Sequence, residues 1–354
     1  MIMSISRGAS KCEKGLKWSP FFCYILCNNE LNLSFSGGKS YLCVMQGVVV
    51  KSTGSWYKVR TQDGNYFNCR IKGKFRIQGL KSTNPISVGD QVKLAVEGED
   101  YLITEILDRK NYIIRKSVNL SKQVHIIASN MDQAFLIITL ASPATTIGFI
   151  DRFLVTAEAY QIPVYLVFNK IDLYDEFDRE YHNQIAEMYT DAGYKCIEVS
   201  ALNQQNLNAL TELMKDKVTL LSGHSGVGKS TLVNAIDSNL NLETQQVSEA
   251  HQKGMHTTTF AEMFELAFGG FIIDTPGIKG LGLVEMEDSE LADYFPEMRA
   301  LKGKCKFHNC IHINEPKCAI KDAVEAEQIH PVRYDSYLTI LEDDGGQYRE
   351  SKYH

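Results

Sequence analysis

The chain lacks any apolar run of the roughly 18 residues that a membrane-spanning helix needs. Its apolar stretch FFCYILC, at 21–27, is at the short limit for the core of a signal peptide, and no small-residue cleavage site follows it. No internal repeat or long low-complexity tract is visible. These absences argue against a membrane or secreted protein. They predict a cytoplasmic protein with no membrane partner.

The composition is that of a globular protein with sizeable cores. Of 354 residues, 44% are hydrophobic and 23% are charged, which suits two or three domains. The nine cysteines are clustered rather than spread, with four before residue 44 and three between 305 and 318. Such clustering favours a metal site over disulfides. Residues 1–44 show no sustained period and are predicted to be a poorly ordered extension.

Residues 45–117 are predicted to form a small all-β barrel of the oligonucleotide-binding (OB) type. Five short β-branched or aromatic runs, separated by Gly, Asp and Asn, carry this prediction: QGVVV, SWYKVR, YFNCRI, QVKLAV and YLITEIL. The segment has 13 Lys and Arg against 7 Asp and Glu, in a chain whose formal net charge is -6. This asymmetry predicts a polyanionic partner.

The run RIKGKFRI, at 70–77, sharpens that prediction. Side chains alternate along a strand, so the cationic ones would share one side and could meet RNA phosphates. The predicted RNA-binding residues are Arg70, Lys72, Lys74 and Arg76. The alternative is an edge strand that its charges protect from aggregation.

Residues 118–295 are predicted to form an α/β domain with a parallel sheet. Apolar runs such as VHIIA, AFLIITL and VYLVF, which we expect to be strands of this sheet, alternate with helix-like segments such as IDRFLVTAEAYQ. Within it, GHSGVGKS at 223–230 fits the phosphate-binding pattern G-x-x-x-x-G-K-S, between a strand-like and a helix-like run. Lys229 would reach the β- and γ-phosphates and the Ser230 hydroxyl would bind Mg²⁺. The predicted contacts are Gly223, His224, Ser225, Gly226, Val227, Gly228, Lys229, Ser230 and Thr231.

Two further short segments suit a nucleotide site. In DTPG, Asp274 would bind or orient magnesium and the Gly277 amide would sense the γ-phosphate. NKID, comprising Asn169, Lys170, Ile171 and Asp172, could read a guanine base. Taken alone, NKID more often merely caps a strand.

Together these segments resemble the translational-type GTPases. The resemblance implies that Asp172 accepts hydrogen bonds from guanine, that Asn169 and Lys170 hold the base, and that Ser200 and Ala201 form a second base-contacting loop. It also implies that Thr257–Thr259 belong to switch I, where one hydroxyl reaches Mg²⁺. Thr258 is the expected ligand, with Thr257 and Thr259 as the alternatives, and Thr258 and Lys229 are predicted to be catalytic.

The order of the segments is unusual, because the base reader precedes the phosphate loop. A cyclic shift keeps the same sheet when the termini lie close together. A permuted GTPase behind a basic barrel and before a Cys/His cluster resembles the RsgA (YjeQ) family. That resemblance implies a monomeric bacterial GTPase that depends on the small (30S) ribosomal subunit and its rRNA, with GTP and GDP as ligands.

The C-terminal residues 296–354 are predicted to form a small α-helical zinc module. Thiolates and imidazole suit a closed tetrahedral Zn²⁺ site, and Cys305, Cys310 and Cys318 lie close together in sequence. By chemistry alone, either His308 or His312 could complete the set, and free thiols are the alternative. The resemblance selects His312 and implies one structural zinc ion.

Catalysis should be slow without a partner. Many GTPases have a water-orienting Gln directly after the switch II glycine, but position 278 is Ile. His256 could orient the water as a catalytic residue, or be an ordinary surface histidine. The sequence therefore favours a subunit-stimulated GTPase over two alternatives, a nucleotide-gated binding module with incidental hydrolysis and an ATPase.

Overall fold

The structure is a computed structural model, and it describes residues 35–36, 39–40, 44–71, 85–98, 100–116, 124–242, 261–274 and 287–342. Of the predicted N-terminal extension, it describes two short strands, Phe35–Ser36 and Lys39–Ser40, which pair antiparallel. The rest of residues 1–43 lies outside the described residues. In the described part of the chain, no helix combines the length and the apolar character needed to cross a membrane.

The N-terminal domain is a closed five-stranded barrel. Its strands are β1 (Val44–Ser52), β2 (Tyr57–Thr61), β3 (Tyr66–Ile71), β4 (Gln91–Glu97) and β5 (Asp100–Ile106). The hydrogen-bonded order is β1-β2-β3-β5-β4, and β4 pairs with β1 to close the ring. Only β3 and β5 pair in parallel. The five predicted β-runs and the OB-type barrel are confirmed.

A separate hairpin follows the barrel. Strands β6 (Tyr112–Lys116) and β7 (Val124–Ser129) pair antiparallel with each other. Among the described residues, neither of them pairs with a strand of the barrel or of the parallel sheet. The run VHIIA in β7 was expected in the parallel sheet with AFLIITL, and that expectation is wrong. Only three residues separate β7 from the next strand, whereas parallel neighbours need a crossover of about a dozen residues or more.

The second domain is a six-stranded sheet covered by helices. Its strands are β8 (Gln133–Ile138), β9 (Val164–Phe168), β10 (Lys195–Glu198), β11 (Val218–Ser222), β12 (Glu262–Glu265) and β13 (Phe271–Asp274). Its helices are α1 (Ile147–Ala159), α2 (Glu176–Asp191), α3 (Leu207–Met214) and α4 (Lys229–Ile236). The order is β10-β9-β8-β11-β13-β12, and all neighbours are parallel except the edge strand β12.

The sheet is buried on both faces. All six residues of β8 are buried. Leu136 and Ile138 belong to one apolar cluster and Phe135 and Ile137 to another, as side-chain alternation requires when helices cover both sides. The predicted α/β architecture is therefore confirmed, with one antiparallel strand at its edge.

The central strand of this sheet is not the first in sequence. Strand β11, which leads into GHSGVGKS, lies between β8 and β13, although the chain has already formed β8, β9 and β10. A sheet is defined by which strands pair, so cutting and rejoining the chain at loops leaves it unchanged. The segment order that is unusual in sequence thus produces a sheet with the phosphate loop at its centre.

The C-terminal module is small and helical. It contains a 3₁₀ turn (Leu291–Tyr294) and helices α5 (Pro296–Arg299), α6 (Ala319–Glu325) and α7 (Pro331–Glu342). Its apolar cluster includes Phe295, Met298, Ile320 and Tyr337, together with Val155 of α1. The module therefore packs directly on a helix of the second domain.

The barrel is joined to the edge of the sheet. Lys51 of β1 pairs with Glu262 of β12, and their side chains form an ion pair at 2.9 Å. Arg60 of β2 donates through Nε and Nη2 to the carboxylate of Glu265, at 2.8 and 2.5 Å. Eleven strands consequently form one continuous hydrogen-bonded set.

Candidate functional site

The phosphate loop follows β11 and precedes α4, as its sequence predicts. Gly228 has φ +90° at the N-cap of α4, and a Cβ there would lie 2.6 Å from Nδ2 of Asn169. Only glycine tolerates both the conformation and the close approach. The backbone amides that begin α4 point out of the helix end, where anions are favoured. The loop is therefore shaped to surround phosphate groups.

Lys229 and Asp274 meet at this loop. The Nζ of Lys229 donates to the carbonyl oxygens of Gly223 and His224, at 2.6 and 2.7 Å. Strands β11 and β13 pair Leu221 with Asp274, so the carboxylate lies at the same edge of the sheet. Burial lowers the pKa of Lys229 and raises that of Asp274, and each charge opposes the shift of the other. Because both groups are largely withdrawn from water, each would interact strongly with a charged ligand.

Asn169 connects three segments of the site. Its side chain is almost fully buried. Nδ2 donates to the Val227 carbonyl at 2.8 Å, and Oδ1 accepts from the Ala201 amide at 3.1 Å. NKID, the Ser200–Ala201 loop and the phosphate loop are thereby held in one position relative to each other.

Asp172 is held by a neighbouring hydroxyl. Ser200 Oγ donates to Asp172 Oδ1 at 2.5 Å and accepts from the Asn203 amide at 3.0 Å. A carboxylate fixed in this way can accept hydrogen bonds only along restricted directions. This restriction is what selective recognition of a base requires.

The Cys/His cluster comes together in the C-terminal module. The ligand atoms of Cys305, Cys310, His312 and Cys318 all lie within 4.8 Å of one another. Cys305 Sγ is 3.6 Å from His312 Nδ1 and 3.9 Å from Cys318 Sγ. A tetrahedral ion with Zn–S bonds of about 2.3 Å would separate its sulfur ligands by about 3.8 Å. The donor set and its spacing therefore fit a metal ion.

Neighbouring groups hold this cluster. Tyr334 OH donates to the His312 carbonyl at 2.5 Å and Tyr337 OH to the Ile311 carbonyl at 2.8 Å. The Glu315 carboxylate accepts from the Ile311 and Ile313 amides. His308, the alternative ligand, is exposed and lies outside the cluster. The histidine facing the thiols is His312.

Comparison with known proteins decides the family. A family model described as RsgA GTPase matches residues 106–284, and one described as RsgA N-terminal domain matches residues 46–101.

The chain belongs to the RsgA GTPase family.

Curated relatives agree along almost their whole length. A protein of Christiangramia forsetii named Small ribosomal subunit biogenesis GTPase RsgA is 56% identical over 313 residues, covering 87% of this chain and 99% of the relative. A protein of the same name from Flavobacterium psychrophilum is also 56% identical, covering 87% of this chain and 96% of the relative. Members of this family are GTPases, so the chain is a GTP-hydrolysing enzyme.

Solved structures agree with the fold. The crystal structure of YjeQ from Thermotoga maritima has a TM-score of 0.70 at 33% identity, covering 86% of this chain and 100% of that one. YloQ, described as a circularly permuted GTPase, has a TM-score of 0.67 at 31% identity, covering 86% and 98%. The RsgA-family resemblance and the permutation are thus confirmed.

Six of the predicted site residues lie in segments that the structure does not describe. His256, Thr258 and Gly277 lie outside the described residues, as do three of the four predicted RNA-binding residues, Lys72, Lys74 and Arg76. Arg70 is described and exposed. The individual roles assigned to these residues stay predictions.

The structure also adds residues that sequence reasoning missed. Lys170 Nζ donates to the carbonyls of Ser142 and Gly226, at 2.6 and 2.8 Å. The ring of Phe149, in the first turn of α1, lies 3.7 Å from that of His224 in the phosphate loop. The contacts of Lys170 with Gly226 and of Phe149 with His224 join segments more than fifty residues apart, and no local pattern signals them.

Proposed function

We propose that this chain assists biogenesis of the small ribosomal subunit, hydrolysing GTP slowly when alone and faster on the subunit. The observation that supports it most is the near full-length similarity to relatives named for that role. In sequence, the GTPase domain lies between the basic barrel and the Cys/His cluster. Two such flanking modules suit a protein that binds a large RNA-containing particle.

Guanine recognition rests on Asp172. Its carboxylate would accept from the guanine N1 and N2 groups, while Asn169 and Lys170 hold the loop against the base. Adenine offers no matching donors, so the site should reject ATP. Ile171 and Ala201 would contribute through the loops that carry them.

Phosphate binding rests on Lys229 and the glycine-rich loop. In moving from the Gly223 and His224 carbonyls to phosphate oxygens, Lys229 would exchange neutral acceptors for charged ones, which bind more strongly. Ser230 and Asp274 present the hard oxygen donors that Mg²⁺ prefers, and Thr258 is the proposed third protein ligand. When bound with GTP, Mg²⁺ would neutralise charge that develops on the phosphates.

Slow intrinsic turnover follows from position 278. Ile278 cannot orient a water molecule, so His256 is the proposed catalytic residue for that task, and Gly277 the proposed γ-phosphate sensor. The small subunit would then act by ordering the segments that contain them.

The Cys/His cluster is proposed to hold one structural Zn²⁺. Three sulfurs and one imidazole leave no open position in a tetrahedral site. The ion would stabilise the loop between α5 and α6, which with the barrel residues Arg70, Lys72, Lys74 and Arg76 would contact rRNA.

The proposal is tested by measuring GTP turnover while only the added ribosomal subunit is varied. The full chain is assayed alone, with purified small subunits and with purified large subunits, and the Lys229→Ala variant serves as the inactive control. We expect strong stimulation by small subunits only. Equal turnover in all three conditions would favour a binding module in which hydrolysis is incidental, and equal competition by ATP would revive the ATPase alternative.

A further inference from the structure

A histidine is buried behind the segments that would hold the base. His182 of α2 is 2% exposed, although Tyr181 and Asn183 on either side of it are exposed. Helix α2 packs against the edge strand β10, and in the chain it follows β9 and NKID. Its inward face therefore lies against the strands that lead into NKID and into the Ser200–Ala201 loop.

The imidazole of His182 contacts the last residue of each of these strands. It meets the ring of Phe168 edge-on, with the centroids 4.6 Å apart, and Phe168 ends β9 directly before Asn169. Its Nε2 lies 2.9 Å from Oε1 of Glu198, which ends β10. Because an ionised carboxylate only accepts hydrogen bonds, Nε2 carries the proton in this bond. One side chain thereby connects the ends of two neighbouring strands.

The Glu198 carboxylate extends this connection to the base-reading segment. Its Oε2 lies 3.9 Å from Nη1 of Arg179. Nη2 of the same guanidinium donates to the Ile171 carbonyl at 3.5 Å. Ile171 directly precedes Asp172 in NKID. The polar chain that begins at the imidazole therefore ends at the backbone next to the carboxylate that would read guanine.

A shift of β10 relative to β9 would move the group that fixes Asp172. The backbone beyond the two strands pairs through Val199, whose amide donates to the Phe168 carbonyl at 2.8 Å and whose carbonyl accepts from the Ile171 amide at 3.4 Å. The next residue is Ser200, whose hydroxyl donates to Asp172 at 2.5 Å. The position of the Asp172 carboxylate consequently depends on the two strand ends that the imidazole connects.

The bond to Glu198 is what distinguishes His182 from an apolar ring in the same place. Its other ring nitrogen, Nδ1, is buried and has no hydrogen-bond partner among the residues that the structure describes. A buried polar group favours the fold only through the bonds that it makes. For packing alone, phenylalanine would serve at least as well at this position. The contribution specific to a histidine is therefore the connection to β10.

We propose that His182 is a positioning residue for guanine recognition. By binding Glu198 and packing on Phe168, it holds the ends of β10 and β9 in the arrangement that sets the Asp172 carboxylate. This inference rests on the proposed function, because it takes Asp172 as the group that reads the base. It goes further by naming a residue of α2, outside all of the nucleotide-binding segments, that determines how well guanine is distinguished from a base without the exocyclic N2 amino group.

The test compares two diphosphates that differ by one amino group. Inosine diphosphate lacks the N2 amino group of guanosine diphosphate, so the ratio of their dissociation constants measures the hydrogen bond from N2 to Asp172. Neither compound has a γ-phosphate to lose, and equilibrium binding to the full-length protein can be measured by calorimetry. For the wild type, a hydrogen bond to a charged acceptor should give a ratio of about ten or more in favour of guanosine diphosphate.

Three variants and one matched control test the connection. His182→Phe keeps a ring of similar size and removes the bond to Glu198. Glu198→Ala removes the acceptor, and because that side chain is 41% exposed the fold should tolerate the change. His182→Gln restores a side-chain donor and serves as the conservative variant. The control is Tyr189→Phe, which removes another buried hydrogen bond of α2, the one to Asp151 at 2.8 Å.

We expect His182→Phe and Glu198→Ala each to lower the ratio about three- to tenfold, because displacing Asp172 weakens a bond that only guanine makes. The loss should come from weaker binding of guanosine diphosphate. His182→Gln should retain most of the ratio, and Tyr189→Phe should leave it within about twofold of the wild type. The double variant with His182→Phe and Glu198→Ala should match the single variants, because both substitutions break the same connection.

The outcomes separate this inference from the proposed function. A wild-type ratio in both His182→Phe and Glu198→Ala overturns the inference, and so does an equal loss of affinity for the two diphosphates, which indicates a structural role only. The same fall in Tyr189→Phe as in His182→Phe overturns it as well. If His182→Phe does not fold, as judged by thermal unfolding, Glu198→Ala decides. A wild type that binds the two diphosphates equally well shows that Asp172 does not read N2, and then guanine recognition as proposed fails too.

Discussion

A buried arginine joins the C-terminal module to the nucleotide-binding domain, and its replacement gives a strong prediction. Arg333 of α7 is 1% exposed. It donates through Nη1 to Asp151 of α1 and through Nε to Glu297 of α5, the latter at 2.8 Å. Its guanidinium also lies 4.7 Å from the Phe295 ring centroid. We expect Arg333→Met to release the module from α1.

The magnitude follows from what the substitution leaves behind. Burial opposes the charged form of Arg333, but Asp151 and Glu297 outweigh it and raise the pKa above its ordinary value. Methionine would fill much of the volume and leave two buried carboxylates without their cation. Removing one partner of a buried ion pair costs about 3–5 kcal/mol. At about 2–4 °C per kcal/mol for a domain of 150–250 residues, the midpoint of unfolding should fall by roughly 6–20 °C.

The control is a second arginine that links the same two parts. Arg299 donates to Glu158 of α1 at 2.8 Å, but its side chain is 48% exposed. Exposed pairs contribute less than about 1 kcal/mol, so Arg299→Met should shift the midpoint by only a few degrees. Adding Asp151→Asn to Arg333→Met should recover part of the lost stability, because it removes one of the two buried carboxylates that have no cation.

The assay combines thermal unfolding with amide hydrogen exchange. Faster exchange in both α1 and α7 is expected for Arg333→Met and not for Arg299→Met. If the two single variants have the same midpoint and the same exchange, then Arg333 does not hold the module and the reasoning is refuted.

Three further predictions concern the nucleotide and metal sites. Asp172→Asn should move nucleotide preference from guanine toward xanthine, measured by competition, and undiminished preference for GTP would show that NKID does not read the base. Lys229→Ala should weaken GTP binding and hydrolysis without changing base preference, and intact turnover would place the phosphate site elsewhere. Cys310→Ser should abolish binding of one equivalent of zinc in a chelator titration and loosen residues 305–318 while GTP affinity is retained. Unchanged zinc content would exclude Cys310 as a ligand.

Local patterns were enough to predict the elements that carry chemistry. The phosphate loop is a continuous segment whose glycines, lysine and serine act at fixed spacings. GHSGVGKS could therefore be identified from the sequence without knowledge of the fold. The barrel strands were predictable for a similar reason, because each is a short apolar run bounded by turn residues. Which strands pair to close the barrel was not predictable, since the β3–β5 and β1–β4 pairings join distant segments.

The sequence supplied candidate residues for each site, but it did not decide between the alternatives. Both His308 and His312 lie near the cysteines in the chain, and only the folded loop turns His312 toward them. The run VHIIA was apolar enough for the central sheet, yet its short connection to β8 placed it in a hairpin. In each case the local composition allowed two arrangements, and packing selected one.

The sequence by itself determined the kinds of residue at each site, because side-chain chemistry and short-range spacing can be read directly from the order of the amino acids. Only the tertiary structure decided which distant residues act together. Asn169 reaches Val227 across 58 positions and Arg333 reaches Asp151 across 182, and Trp56 meets Arg70 only because β2 pairs with β3. Such contacts depend on strand register and helix packing, which are set by burial of the whole core and not by any local pattern.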